Sequence, residues 1–165
     1  MRQRRPPRDN GLQAVQSDRA ADFARRSSAL DYSVNSVQAI ENMLRTTESN
    51  EVDTPGAAAY LGEVLLRATR NGAWETADLE GVPLPWVGWH NRPPIVPRPR
   101  VRDMILEPMS LISFAIGERE SPSLLELARD LVKYVRRPTP AVRARLGLTL
   151  VPGKRFGWLR AEDQQ

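Results

Sequence analysis

The apolar pattern of this chain is densest over residues 55–74, where Ala57, Leu61, Val64, Leu65 and Ala68 recur at helical spacing. At about 100° per residue, Ala58, Gly62 and Leu66 widen that stripe to an arc of roughly 200°. Glu63, Arg67 and Arg70, flanked by Tyr60, make the remaining polar strip. A helix this apolar is contacted on two sides, so it is expected at the centre of the domain. Thr54 is placed to cap it and Pro55 to occupy its first position, where a missing N–H costs nothing. Asn71-Gly72 ends it, because both residues tolerate a left-handed backbone. Gly62 costs about 1 kcal/mol against Ala inside a helix, which the close approach of another backbone would offset. Trp74 then begins a strand that packs back on the helix.

Elsewhere the pattern predicts further elements. Residues 11–28 read as a helix with a thin apolar stripe, Leu12, Val15 and Phe23. Ser33 caps a second helix in which Val34, Val37, Ile40 and Leu44 share a face and which ends near Thr46. Residues 81–89 and 91–100 carry too much Pro and Gly for helix. They are expected as edge or irregular strands, since Pro cannot donate to a central ladder. Ile95-Val96 and residues 101–106 are the best strand candidates there. Pro108 opens a short helix through Met109, Leu111, Ile112 and Phe114 to Gly117, with a buried strand as the competing reading. Residues 121–135 form a helix with Leu124, Leu127, Ala128, Leu131 and Val135 on its core face. Ser123 and Glu126 stand at capping-box spacing, and Pro138 enforces the stop. A short helix from Thr139 and a hairpin over residues 148–159 complete the chain.

These elements predict an α+β fold in one domain, a central helix packed on a small, mostly antiparallel, Pro-rich sheet with flanking helices. Within it, residues 1–10 read as a disordered basic tail, 11–29 as a peripheral helix, 30–137 as the core, and 138–165 as a C-terminal helix and hairpin appendage. A chain of 165 residues can bury about 70% of the surface its unfolded form exposes, enough for a core of its own.

Charge changes the picture only locally. Arg2, Arg4, Arg5 and Arg8 against Asp9 give the first ten residues +3 of the chain's +4, so the remainder is near neutral. That tail could contact phosphates or steer toward an acidic protein. There is no cysteine, which excludes disulfides and thiolate metal sites and fits a reducing cytoplasm. No apolar run approaches the roughly 20 residues that span a bilayer.

The order of parts resembles a family of small bacterial proteins known only as a domain of unknown function. The resemblance rests on Tyr60-Leu61-Gly62-Glu63-Val64-Leu65, on Gly72 and Trp74 after it, and on the Pro-centred segment 108–118 leading to the helix at residues 124–135. It implies a compact α+β domain and carries no catalytic residue.

Candidate chemistry is sparse. Glu63 stands four residues before Arg67, the spacing of an ordinary helix ion pair, and a catalytic carboxylate needs a second acid, a metal or a histidine beside it. His90 is the only histidine, and no Gly-x-Ser-x-Gly or Gly-x-x-x-x-Gly-Lys motif occurs. The densest aromatic set is Trp86, Trp89 and His90, followed by Arg92, Arg98 and Arg100 among four prolines. Trp and Arg concentrate at binding hot spots, although the tryptophans would serve equally well as core between helix and sheet. Trp89, beside Asn91 and Arg92, is the better surface candidate. The expectation is a cytoplasmic, non-catalytic protein of accessory, adaptor or immunity type, without cofactor or metal. It would bind another protein through Trp86, Trp89, His90, Arg92, Arg98 and Arg100. The alternatives are nucleic-acid association through the tail and a small-molecule pocket around Glu63 and His90.

Overall fold

A computed structural model describes residues 10–46, 53–79, 82–89, 104–106, 108–109, 111–112 and 123–136. The tail arginines Arg2, Arg4, Arg5 and Arg8, the candidate residues His90, Arg92, Arg98 and Arg100, the strand expected at Ile95-Val96 and the appendage 138–165 lie outside the described residues.

Helix α1 spans Asn10–Ala24, α2 Val37–Thr46, α3 Thr54–Thr69 and α4 Leu124–Arg136. Strands β1 (Ala73–Leu79), β2 (Val82–Trp89) and β3 (Met104–Leu106) form an antiparallel sheet in the order β1-β2-β3. The fold is α+β, with α3 central, as its apolar circumference requires. Residues Gly56 to Leu65 of α3 are all buried, with α1 along one side and α4 on another.

The helix ends show how local chemistry sets boundaries. Asp53, one residue before the expected cap, accepts from Gly56 N at 3.0 Å and leaves Thr54 and Pro55 inside the first turn. Aspartate reaches the orphan amides as readily as threonine and adds a charge that the helix N-terminus favours. At the other end the left-handed residue is Arg70 (φ 52°), with Gly72 at φ 94° completing the turn into β1. Ser33 caps as expected, but a turn of 3-10 helix over Val34–Ser36 precedes α2. The capping box at α4 forms in full. Ser123 Oγ accepts from Glu126 N and Glu126 Oε2 accepts from Ser123 N, both at 3.1 Å. Pro108, Met109, Leu111 and Ile112 are helical, so the strand reading of that run fails.

Two expectations are corrected by packing. First, α1 is not peripheral. Ala20 and Phe23 are buried in the core, whereas Val15, expected on its apolar stripe, is 47% exposed. The inward face of α1 is instead the polar Gln13, Gln16 and Ser17 with Ala20 and one aromatic, Phe23. Second, β2 is the middle strand of the described sheet despite Pro83 and Pro85. Among the described residues β3 pairs with 87–89, through Val87↔Leu106, Gly88↔Ile105 and Trp89↔Met104. Both prolines therefore lie where β1 is the one described neighbour, which is where a missing donor is tolerated.

Candidate functional site

Glu63 is a buried carboxylate held by three hydrogen bonds. It projects from the middle of α3 and is 7% exposed. Its Oε1 accepts from Trp74 Nε1 at 2.8 Å, Gln13 Nε2 at 3.1 Å and Ser17 Oγ at 3.2 Å. One carboxylate oxygen thus ties α1 and β1 to α3. The expected partner Arg67 is at 4.0 Å from Oε2 and half exposed, a pair worth at most about 0.5 kcal/mol. Arg67 is held by a different group. Its guanidinium carbon sits 3.7 Å from the centre of the Tyr32 ring, a cation–π contact. Amide, hydroxyl and indole all donate to Glu63, and none of these groups exchanges a proton near neutral pH. The arrangement suits a buried anchor better than a general acid or base.

Tyr60, one turn before Glu63, is fully buried against Phe23 and Tyr32. Its hydroxyl accepts from Tyr32 N at 2.8 Å and lies 2.7 Å from Ser36 Oγ. Ser36 Oγ already donates its single proton to Ser33 O at 2.6 Å, so Tyr60 is the donor to Ser36. Burial pushes the Tyr60 phenol above its usual 10.0. These bonds hold Tyr32 at φ 63°, a left-handed conformation that a bulky residue rarely adopts.

The polar strip read from the α3 wheel is thus not a solvent face. α1 covers the Tyr60 and Glu63 part, and only its far end, at Arg67 and Arg70, reaches the surface.

Comparison of the chain with known protein families, characterised proteins and solved structures finds no match. The contacts themselves carry the functional argument. Trp89 is 5% exposed, not a surface residue. It shares the face of Trp74 and Val87 that meets α3, and its Nε1 donates to Thr69 Oγ1 at 3.0 Å. A side chain at Gly72 would come within 2.8 Å of the Trp89 ring, so the glycine of this turn is required by packing as well as by φ. Trp86 pairs with Glu75 in the β1–β2 register. Glu63 makes its contacts with α1 and β1, and the described residues contain no cluster of three or more His, Cys, Asp or Glu. None of the described helices is long and apolar enough to cross a membrane.

Sequence reasoning missed Gln13 and Ser17. Their only trace is the period Gln13, Ser17, Ala20 and Ala24, a helical stripe of small and polar residues that a hydrophobicity pattern does not register.

Proposed function

We propose that the protein is a non-catalytic, accessory or adaptor-type protein that binds an acidic protein surface through residues 90–103. The observation that supports this is the pairing of Trp89 with Met104. The 14 residues between them leave and rejoin the sheet at adjacent points, and they contain His90, Arg92, Arg98, Arg100 and Arg102 with four prolines. Binding residues are commonly carried on connections held by a rigid scaffold, and here the Trp89–Thr69 bond fixes the take-off point against α3. Arginines between prolines lose little freedom on binding and recognise carboxylates bidentately. Trp89 is excluded from this surface by its burial. Glu63 is already engaged by Trp74, Gln13 and Ser17, which favours this reading over a pocket built on that carboxylate.

The test is capture of partners by the full chain, by Arg98→Glu/Arg100→Glu and by a chain lacking residues 1–9. A discrete protein lost with Arg98→Glu/Arg100→Glu and kept without the tail is the expected result. Recovery of nucleic acid alone, lost without the tail or at high salt, would replace the proposal with the nucleic-acid reading.

A further inference from the structure

The turn that carries the chain from α3 into β1 joins an exposed asparagine to a glycine, Asn71-Gly72. Left-handed residues stand on either side of Asn71, Arg70 at φ 52° and Gly72 at φ 94°. The Asn71 side chain folds back along the chain, so that Gly72 N donates to Asn71 Oδ1 at 2.9 Å. That fold-back also brings Asn71 Cγ, one bond from Oδ1, toward the Gly72 nitrogen. Bond formation starts from contacts of about 3–3.5 Å between the atoms to be joined. Glycine has no Cβ to shield its nitrogen, and the site is open to water and hydroxide.

The other described asparagines are held differently. Asn35 precedes Ser36, whose N–H donates to Ser33 O at 3.1 Å, and Asn35 Oδ1 accepts from Arg129 Nη2 at 2.8 Å. Asn42 lies inside α2, with its Oδ1 accepting from Gln38 Nε2 at 3.1 Å. Asn10 also precedes a glycine, but both residues belong to α1, whose helical backbone fixes that amide. The turn at Asn71 is also tightly fitted. Asn71 O accepts from Thr69 Oγ1 at 2.9 Å, and the same hydroxyl accepts from Trp89 Nε1 at 3.0 Å. A single added Cβ at Gly72 would stand 2.8 Å from both Gly88 O and the Trp89 ring.

We propose that Asn71 is a site of spontaneous covalent modification, converted through a succinimide to isoaspartate, and that the product releases the Trp89–Thr69 bond. Hydroxide removes the Gly72 amide proton, and the nitrogen attacks Asn71 Cγ. The bond from Cγ to the side-chain nitrogen breaks, and that nitrogen takes a proton and leaves as ammonia. Water then opens the ring. Attack at Cγ gives aspartate, and attack at the main-chain carbonyl carbon gives isoaspartate. Water is the one co-reactant, and no oxidation occurs. In isoaspartate the chain runs through Cβ and Cγ, so one methylene is inserted between α3 and β1. The former Asn71 carbonyl, which now accepts from Thr69, becomes a free carboxylate outside the main chain. A turn with no room for a Cβ at Gly72 has none for a longer backbone, so Gly72 shifts against Gly88 and Trp89 and the indole parts from Thr69.

The test follows isoaspartate at each asparagine of the full chain, by peptide mapping with carboxyl methylation of isoaspartate, in warm, mildly alkaline buffer. Native chain is compared with the same chain unfolded in guanidinium. Asn71 should convert at least as fast in the native chain as in the unfolded one. Asn35 should convert at least about 10-fold more slowly when native, as expected for a group released only by local opening. Slower conversion of Asn71 in the native chain, or none, would overturn the assignment. The isoaspartate form, separated by its added negative charge, is then compared with Asn71→Asp, which carries the charge on an unaltered backbone. Hydrogen exchange at the Trp89 indole should be at least about 10-fold faster in the isoaspartate form than in Asn71→Asp. Equal exchange in the two would overturn the release of Trp89.

Discussion

Glu63 and its neighbours set the energetics at the scale of single residues. Removing the carboxylate orphans the buried indole N–H of Trp74 and the donors on Gln13 and Ser17. Leaving one buried donor unpaired costs about 1–3 kcal/mol. Glu63→Ala should therefore lower unfolding free energy by at least that amount in urea titration, while Glu63→Gln, which keeps an acceptor oxygen, should cost less. Equal losses would show that the charge, not the acceptor, holds the junction. Gly62 tests packing against propensity. Alanine is worth about 1 kcal/mol more than glycine in a helix, but a Cβ there would overlap the Trp74 ring. Overpacking costs about 1–3 kcal/mol, and displacing Trp74 also breaks its bond to Glu63. Gly62→Ala should thus be net destabilising, seen as a lower thermal midpoint. It is a side chain, not another backbone, that requires this glycine.

Tyr60 adds a pH dependence at the same scale. Its folded-state pKa is raised by burial above the usual 10.0. The unfolded chain ionises first as pH rises, so the phenol's stabilisation is fully present below about pH 10 and is lost above it. The stability difference between the native chain and Tyr60→Phe, followed by urea midpoints from pH 8 to 11, should shrink across the alkaline range. A constant difference would contradict the burial of the hydroxyl.

At the scale of elements, α4 shows two kinds of cap on one helix start. Ser123 and Glu126 were legible as a pair because both lie within one turn. Glu41 was not, since its Oε2 accepts from Leu124 N across 83 residues of chain, at 3.1 Å, while its Oε1 binds Arg45 at 2.9 Å. Ser123→Ala should cost about 1 kcal/mol. Combined with Glu41→Gln, the loss should depart from additivity, because both carboxylate and hydroxyl serve the same few amides. A double-mutant cycle in urea measures it, and strict additivity would show that the two caps act independently. α1 is the opposite case. Its periodicity was weak because its inward face mixes Gln13, Gln16 and Ser17 with Ala20 and Phe23, so its existence could be read from the chain but its role as a core element could not.

Over the whole molecule, the helices carry the described core and present the sheet on one side. The proposed binding segment starts and ends at one corner of that sheet. The central helix, the second helix, the capped helix near the end, the turn at Gly72 and the strand from Trp74 could all be read from the amino-acid order. Each depends on residues within a few positions of one another, and helical period, caps and turn residues act at that range. What tertiary structure decided is which faces meet. Trp89 turns inward to Thr69, and Glu63 bonds Trp74, Gln13 and Ser17 more closely than its own helix neighbour Arg67. Strand register and helix docking are set by contacts distant in the chain, and a slip of one residue in β2 would exchange its two faces. No local pattern in the sequence specifies that choice.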